Sequence, residues 1–326
     1  MRAIRLHEFG PPENLRYEEV PDPVPGEGRL RVQVKAAGVQ LVDTVLRAGG
    51  RMGPATLPPL PAIPGREVAG LVESVGPGVP ADLVGRRVAA HLGDDGGGYA
   101  ELAVVDASRI FQVADNLDYE TAVAMIGTGR TTMGIIEAAV MTAEDVVLVL
   151  AAAGGVGSLL LQHARNVGAT VIAAAGGAEK TRRCEGMGAD LAVDYTRPDW
   201  TERIRGWLGD RGVTLVLEGV GGRLSRDAFD LVAHGGRFLV YGFSSGEPFA
   251  PEDGELSQRA ITFDSALRPT PPTPRSSPAE LQKAALAAAA DDTLIPAWQG
   301  FALADAARAH AALEDRATMG KVLLVP

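Results

Sequence analysis

The residues best placed to do chemistry are a glycine cluster, Gly154, Gly155 and Gly157, set between the apolar run VVLVLA and the segment SLLLQHARNVG. A plain turn from strand to helix needs one glycine. Three, in the spacing Ala152-x-Gly154-x-x-Gly157, make a variant of the G-x-G-x-x-G turn in which alanine stands first. In that turn one glycine bends the chain, the next lets a ligand approach the backbone, and the last lets helix and strand pack closely. The N–H groups of Gly154, Gly155, Val156 and Gly157 then lie at a helix start, where they and the helix dipole favour the diphosphate of a dinucleotide.

Two further features bear on which dinucleotide. A site that prefers NAD usually ends its second strand in Asp or Glu, which binds the ribose hydroxyls. Here that strand ends VIAAAGG, so Gly176 holds the place of the acid, and Lys180, Arg182 and Arg183 follow. A small residue with cations nearby suits a 2′-phosphate and favours NADPH, although Glu179 also lies within reach of a ribose and a solvated helix face would equally explain Arg182 and Arg183. The later segments LEGVGG (217–222) and VYGFSSG (240–246) place glycine-rich turns at the carboxyl ends of strands, where open α/β sheets bind ligands.

The elements that must position these residues change in texture near residue 120. Before it the chain is rich in β signals. RLRVQVKAAGV (29–39) alternates apolar and polar residues, VAGLVESVG and GRRVAAH are short strands bounded by glycine, and residues 98–113 read as a strand pair. Proline-rich turns separate them. Residues 118–140 have a helical pattern. Short, wholly apolar strands then alternate with amphipathic helices, including a helix over LSRDAFDLVAHGG, which indicates βαβ units and a parallel sheet covered on both faces. A proline-rich stretch at 268–278 precedes two alanine-rich helices and a closing strand, KVLLVP.

Composition narrows the function classes. The chain has 326 residues, 46% hydrophobic and 22% charged, enough for two domains. A net charge of −10 disfavours nucleic acid and anionic membranes as general partners. The single cysteine, Cys184, precludes internal disulfides and cysteine-rich zinc sites, and fits a cytoplasmic location. The first ten residues, MRAIRLHEFG, have no apolar core of a signal peptide, and no apolar run is long enough to span a bilayer.

Five segments in order, GVQLVDTVLRAG, PGREVAG, AAAGGVGSLLLQHAR, LEGVGG and MGKVLLVP, together resemble the zinc-independent medium-chain dehydrogenases/reductases of the quinone oxidoreductase (zeta-crystallin-like) branch. The resemblance runs over essentially the whole chain. It implies a GroES-like, β-rich catalytic domain from residues 1–122 and 264–326, and a Rossmann domain, a doubly wound parallel sheet, from 123–263. It also implies site roles. Gln40 stands where many relatives carry Asn, beside the nicotinamide, and Thr131 matches a position lining the nicotinamide pocket. Lys180 and Tyr195 match contacts to the adenosine 2′-phosphate. Val220, Gly221, Gly242, Phe243, Ser244 and Lys321 match loops at the nicotinamide end. Zinc-dependent members have Cys and His where this chain has Gln40 and Arg66, neither a usual zinc ligand, so no metal is expected.

Without a Lewis acid, hydride transfer to an acceptor that is already electrophilic, a quinone or an α,β-unsaturated carbonyl, is the chemistry implied. The alternatives are a dedicated reductase of an enoyl thioester or a biosynthetic enone, and an NADPH-binding protein without turnover. The chain departs from the family pattern in lacking a tyrosine after Asp43-Thr44, where Arg47 and Arg51 are the polar candidates, and it shows no evident general acid. The apolar segment 260–267 falls at the expected sheet edge, where a twin strand would make a homodimer.

Overall fold

The computed structural model describes residues 1–51, 56–266 and 276–326. The chain divides into two compact units, Met1–Arg130 with Pro278–Pro326, and Thr131–Ser277.

The first unit opens with a hairpin, β1 (Arg2–Leu6) and β2 (Leu15–Glu19). Strand β3 (Arg29–Val39) follows, then helix α1 (Leu41–Arg47), β4 (Glu67–Val75), β5 (Arg87–His91), β6 (Leu102–Asp106) and β7 (Ile110–Gln112). The sequence reading made β6 and β7 a pair. The structure separates them: β6 lies along β3, and β7 along β5. The short 3-10 turn Ala107–Arg109 between them, capped by the Asp106 carboxylate on Ser108 N–H, turns the chain away to a second partner. Helix α2 (Tyr119–Ala124) packs on β3 and β4 and so belongs to this unit. A π-helical turn, Met125–Gly129, then leads into α3 (Arg130–Ala139), so the helical pattern read over 118–140 is a continuous helical run whose middle turn is π rather than α.

The second unit is a six-stranded parallel sheet. Its elements are β8 (Val146–Leu150), α4 (Gly155–Asn166), β9 (Thr170–Ala175), α5 (Ala178–Gly186), β10 (Leu191–Asp194) and α6 (Trp200–Leu208). There follow β11 (Val213–Glu218), α7 (Gly222–Phe229), β12 (Val232–Val240), α8 (Glu255–Gln258) and β13 (Thr262–Ser265). The order is β10-β9-β8-β11-β12-β13, the doubly wound arrangement expected. Strand β8 shows why its sequence is apolar throughout. Val147 and Val149 enter one core, and Val146, Leu148 and Leu150 enter the core on the other face. Helix α7 ends at Phe229, seven residues before the end read from the sequence, because Val232 already pairs with Val213 of β11. Within the segment 260–267, Thr262–Ser265 form β13 at the sheet edge, where β12 is its only strand neighbour among the described residues.

The chain returns to the first unit with α9 (Pro278–Ala290), β14 (Trp298–Ala302), α10 (Ala306–Glu314) and β15 (Lys321–Val325). Strand β15 lies between β14 and β3, completing a sheet in the order β14-β15-β3-β4-β5-β7. Residues 268–275 of the proline-rich stretch lie outside the described residues. No helix among the described residues is long and apolar enough to cross a membrane.

One buried carboxylate secures the amino end of the parallel sheet. Asp145 accepts two bonds from Arg237 Nη2, both at 2.8 Å, one from Thr214 Oγ1 at 2.7 Å and one from Thr142 N–H at 2.9 Å. Burial alone would raise its pKa, but these donors hold it below the usual carboxylate value. A lowered native pKa stabilises above the unfolded value and is lost as pH falls through the native one. Asp145→Ala is expected to cost roughly 2–4 kcal/mol at neutral pH. Urea unfolding should show the deficit narrowing as acid protonates the wild-type carboxylate.

Candidate active site

In the second unit the glycine cluster lies at the carboxyl end of β8, beside β11, where the strand order reverses and an open crevice forms. Ala151 takes a left-handed φ of 50°, and Gly154 N–H donates to its carbonyl at 2.9 Å, which turns the chain sharply into α4. A Cβ on Gly157 would lie 2.9 Å from Ala152 Cα and would overlap the Ala151 carbonyl, so only glycine lets the helix start this close to the strand end. The first N–H groups of α4, at Gly155, Val156 and Gly157, precede Ser158, whose N–H is the first to reach back to Gly154 O, at 2.9 Å. They therefore present donors at the positive end of a twelve-residue helix.

Strand β9 ends at Ala175 without an acid, and Gly176 is followed by a turn built by Asp194. That carboxylate, at the end of β10, accepts from Gly177 N–H at 2.8 Å and from Thr196 N–H and Oγ at 3.0 and 2.7 Å. It is committed to backbone donors. The Tyr195 ring lies against Gly176, and a Cβ there would come within 3.1 Å of it. Lys180 stands half-buried in the first turn of α5, whereas Arg182 and Arg183 are exposed. Gly176, Lys180 and Tyr195 are thus gathered at neighbouring strand ends.

The third part of the crevice is formed by the turns after β11 and β12. Glu218, wholly buried, accepts from the N–H groups of Val220 and Gly221. Ser244 N–H donates to Gly219 O at 3.0 Å, and Ser245 N–H to Val220 O at 2.8 Å. These bonds bring Val220 and Gly221 together with Gly242, Phe243 and Ser244. Thr131 stands in a different element, the first turn of α3, and is exposed.

In the first unit Gln40 and Lys321, separated by most of the chain, meet at one carboxylate. Glu67, fully buried at the start of β4, accepts from Gln40 Nε2 through Oε1 and pairs with Lys321 Nζ at 2.7 Å through Oε2. Lys321 is itself only 5% exposed. Burial pushes the Glu67 pKa up, but the Lys321 ammonium and the Gln40 bond bring it below the usual value, so it is ionised. A Cβ on Gly127, in the π turn, or on Gly38, in β3, would overlap this carboxylate. Both glycines make room for a charge.

Around this pair lies a second layer. Gln40 N–H donates to Asp43 Oδ2 at 2.8 Å, the Tyr99 hydroxyl donates to the same oxygen at 3.0 Å, and Tyr99 Oη lies 3.1 Å from His310 Nε2. Burial raises the Asp43 pKa to about 6, and lowers those of His91 to about 4 and His310 to about 3. The sequence reading singled out neither the histidines nor Tyr99. A signal was present: a glutamate opening an otherwise apolar strand, and a histidine in an alanine-rich helix. Neither reveals its partner, because the partners come from remote elements.

Comparison with known proteins agrees with this architecture. The model of the zinc-binding dehydrogenase family matches residues 155–276, and that of the alcohol dehydrogenase GroES-like domain matches residues 26–115. A quinone oxidoreductase of Pseudomonas aeruginosa is 33% identical, covering 100% of this chain and 99% of that protein. A 2-haloacrylate reductase of a Burkholderia species is 30% identical, covering 99% and 98%. The crystal structure of Escherichia coli quinone oxidoreductase complexed with NADPH superimposes with a TM-score of 0.84 at 28% identity, over 100% of both chains.

The donor set around Glu67 does not suit zinc. Lys321 already compensates the carboxylate with a fixed cation, which would repel a second one. Gln40 turns its amide N–H₂ toward Glu67, and Arg66 pairs with Asp94 at 2.9 Å. Among the described residues no three His, Cys, Asp or Glu side chains are grouped to hold a metal.

Asp43 offers a titration test. Its native pKa of about 6 lies above the ordinary aspartate value of 3.8. Between these pH values the folded protein keeps a proton that the unfolded chain has lost, so this group weakens the fold as pH rises through the window. Asp43→Asn should remove that contribution and gain roughly 2–3 kcal/mol relative to wild type between pH 4 and 7. Thermal unfolding of both proteins across this range checks it, because the opposite contributions of His91 and His310 are common to the two.

Proposed function

The chain belongs to the quinone oxidoreductase branch of the medium-chain dehydrogenases/reductases, and from that premise we propose that it is an NADPH-dependent, zinc-independent reductase of quinones or α,β-unsaturated carbonyls. The observation that carries the reading is the glycine turn of β8 and α4 at the crevice of a doubly wound sheet, beside a second strand end with no acid and with Lys180 close by.

The residues present fit the cofactor. The N–H groups of Gly155, Val156 and Gly157 would hold its diphosphate. Gly176 leaves room for the ribose, with Lys180 and Tyr195 at its 2′-phosphate. The loops of Val220, Gly221, Gly242, Phe243 and Ser244 would flank the nicotinamide, with Thr131 lining its pocket. Bound there, NADPH supplies a hydride.

The chain's own part is to orient, to exclude water and to stabilise negative charge as it grows on the acceptor oxygen. Gln40 has a second amide hydrogen beyond the one given to Glu67, and it is available to that oxygen. Lys321 provides positive charge in a site of low polarity, where a charge acts more strongly than in water. Glu67 fixes both. A quinone then takes two electrons and two protons, one delivered as hydride and one as a proton, to give the hydroquinone. The kinship with a 2-haloacrylate reductase supports an electron-poor alkene as an equally suitable acceptor. We also infer a homodimer formed through the open edge of β13, which light scattering at micromolar concentration would test.

Lys180→Ala is expected to raise KM for NADPH at least about tenfold while changing that for NADH little, since a single ion pair to a phosphate is worth roughly 1–3 kcal/mol. Equal effects on both would locate the phosphate elsewhere. Gly157→Val should abolish binding of both by displacing the first turn of α4. The direct assay follows NADPH absorbance with a quinone and with an enone. Cofactor binding without turnover of either would overturn the reductase reading in favour of a binding protein.

A further inference from the structure

A cavity of about 440 Å³ lies within the first unit, immediately beside the Gln40 cluster. It shares Asp43 with that cluster, and its wall includes Arg66, the chain neighbour of Glu67. The volume is that of a small-molecule site. Much of the lining is apolar, from Leu6, Leu46, Pro58 and Ile63, but two guanidinium groups, Arg47 and Arg66, also reach it.

Arg47 is the unusual member. Its side chain is only 3% exposed. Nη2 is engaged by Glu314 at 2.6 Å and approaches Thr44 O at 3.4 Å, yet Nε and Nη1 have no acceptor among the described residues. A buried guanidinium normally has its donors matched, and each one left unmatched costs about 1–3 kcal/mol. Both atoms are closed to solvent, so what Arg47 brings to the cavity is the positive charge of a guanidinium held just behind its wall. Arg66 adds charge that can be redirected. Its partner Asp94 is 59% exposed, and an ion pair open to water on one side holds weakly.

The acids near the cavity do not oppose an anion strongly. Asp95 is paired with Arg29 at 3.2 Å, and Asp94 with Arg66. Asp43 turns Oδ2 to Gln40 N–H and the Tyr99 hydroxyl. Burial also favours its protonated form.

We propose that this cavity receives the carboxylate of an acceptor carrying both an acid group and the reducible bond, with Arg66 as its direct partner and the Arg47 charge behind the wall. The proposal rests on the reductase reading and names its substrate class. The electron balance is that of any enone reduction: hydride from NADPH and one proton from water convert C=C to CH–CH, and NADPH is oxidised. The guanidinium groups offset the charge that a carboxylate would otherwise bring against an incoming hydride.

The test compares the enone acid 4-oxopent-2-enoate with the uncharged enone pent-3-en-2-one, and measures binding of the unreactive analogues 4-oxopentanoate and pentan-2-one by calorimetry. The full chain is used as wild type, Arg66→Gln and Arg47→Gln. Wild type should bind the acid analogue at least about tenfold more tightly than the ketone, and the acid-to-ketone ratio of kcat/KM should fall about tenfold in Arg66→Gln. Arg47 lies in a buried ion pair, so if its variant fails to fold, Arg66→Gln carries the test alone. Acid bound no better than ketone, or a ratio unchanged in Arg66→Gln, overturns the proposal. Acid binding that depends on Arg66, with no reduction of any enone or quinone, keeps the anion site and overturns the reductase reading instead.

Discussion

The interior charge on Glu67 is the constraint that the rest of the first unit answers to. A carboxylate without access to water is tolerated only when a countercharge and hydrogen bonds surround it. Lys321 and Gln40 supply these from opposite ends of the chain, one on β15 and one at the start of α1. The backbone yields as well. Gly38 and Gly127 have no side chains where the carboxylate lies, and the chain adopts a π turn at Met125–Gly129 rather than a regular helix there. A structural ion pair could have been replaced by a packed apolar pair at little cost or a gain.

The second unit obeys a different rule. Its sheet is covered on both faces by helices, so polar work is confined to the ends of the strands. Two acids do stand there, Asp194 and Glu218, and both accept backbone N–H groups of the neighbouring turns. Through these bonds each carboxylate shapes the loop beside it. What is left facing outward from α4 is a set of helix N–H donors. The crevice is therefore favourable to anions although the chain as a whole carries a net charge of −10.

The parallel sheet was legible because its signals are local. An apolar strand, a glycine turn and an amphipathic helix each show their period within about fifteen residues. The edge position of β13 came from the family resemblance rather than from its own pattern. The failures came where structure depends on distant partners. Residues 232–236 read as the tail of a helix because nothing nearby shows that Val232 will pair with Val213. Strands β6 and β7 read as partners because they are consecutive, yet each found its neighbour further back in the chain. Strand β14, WQGFA, was overlooked because its alternation is short and its burial slight. The site divides in the same way. Gly154 to Gly157 could be assigned a purpose from spacing alone, whereas Lys321 and Gln40 had a position but no visible link until Glu67 joined them, and Tyr99 and His310 had neither.

Strand β15 lies between β14 and β3, so the first unit is assembled from both sides of the second. On the ribosome, Glu67 emerges long before Lys321, with the whole of Thr131–Ser277 made in between. The parallel sheet has every strand it needs at that stage, while the earlier β-rich segment holds an acid with no ammonium to neutralise it. The first unit's sheet lacks β14 and β15 until the end of synthesis, so the Glu67 carboxylate has no compensating ammonium until the last strand is made.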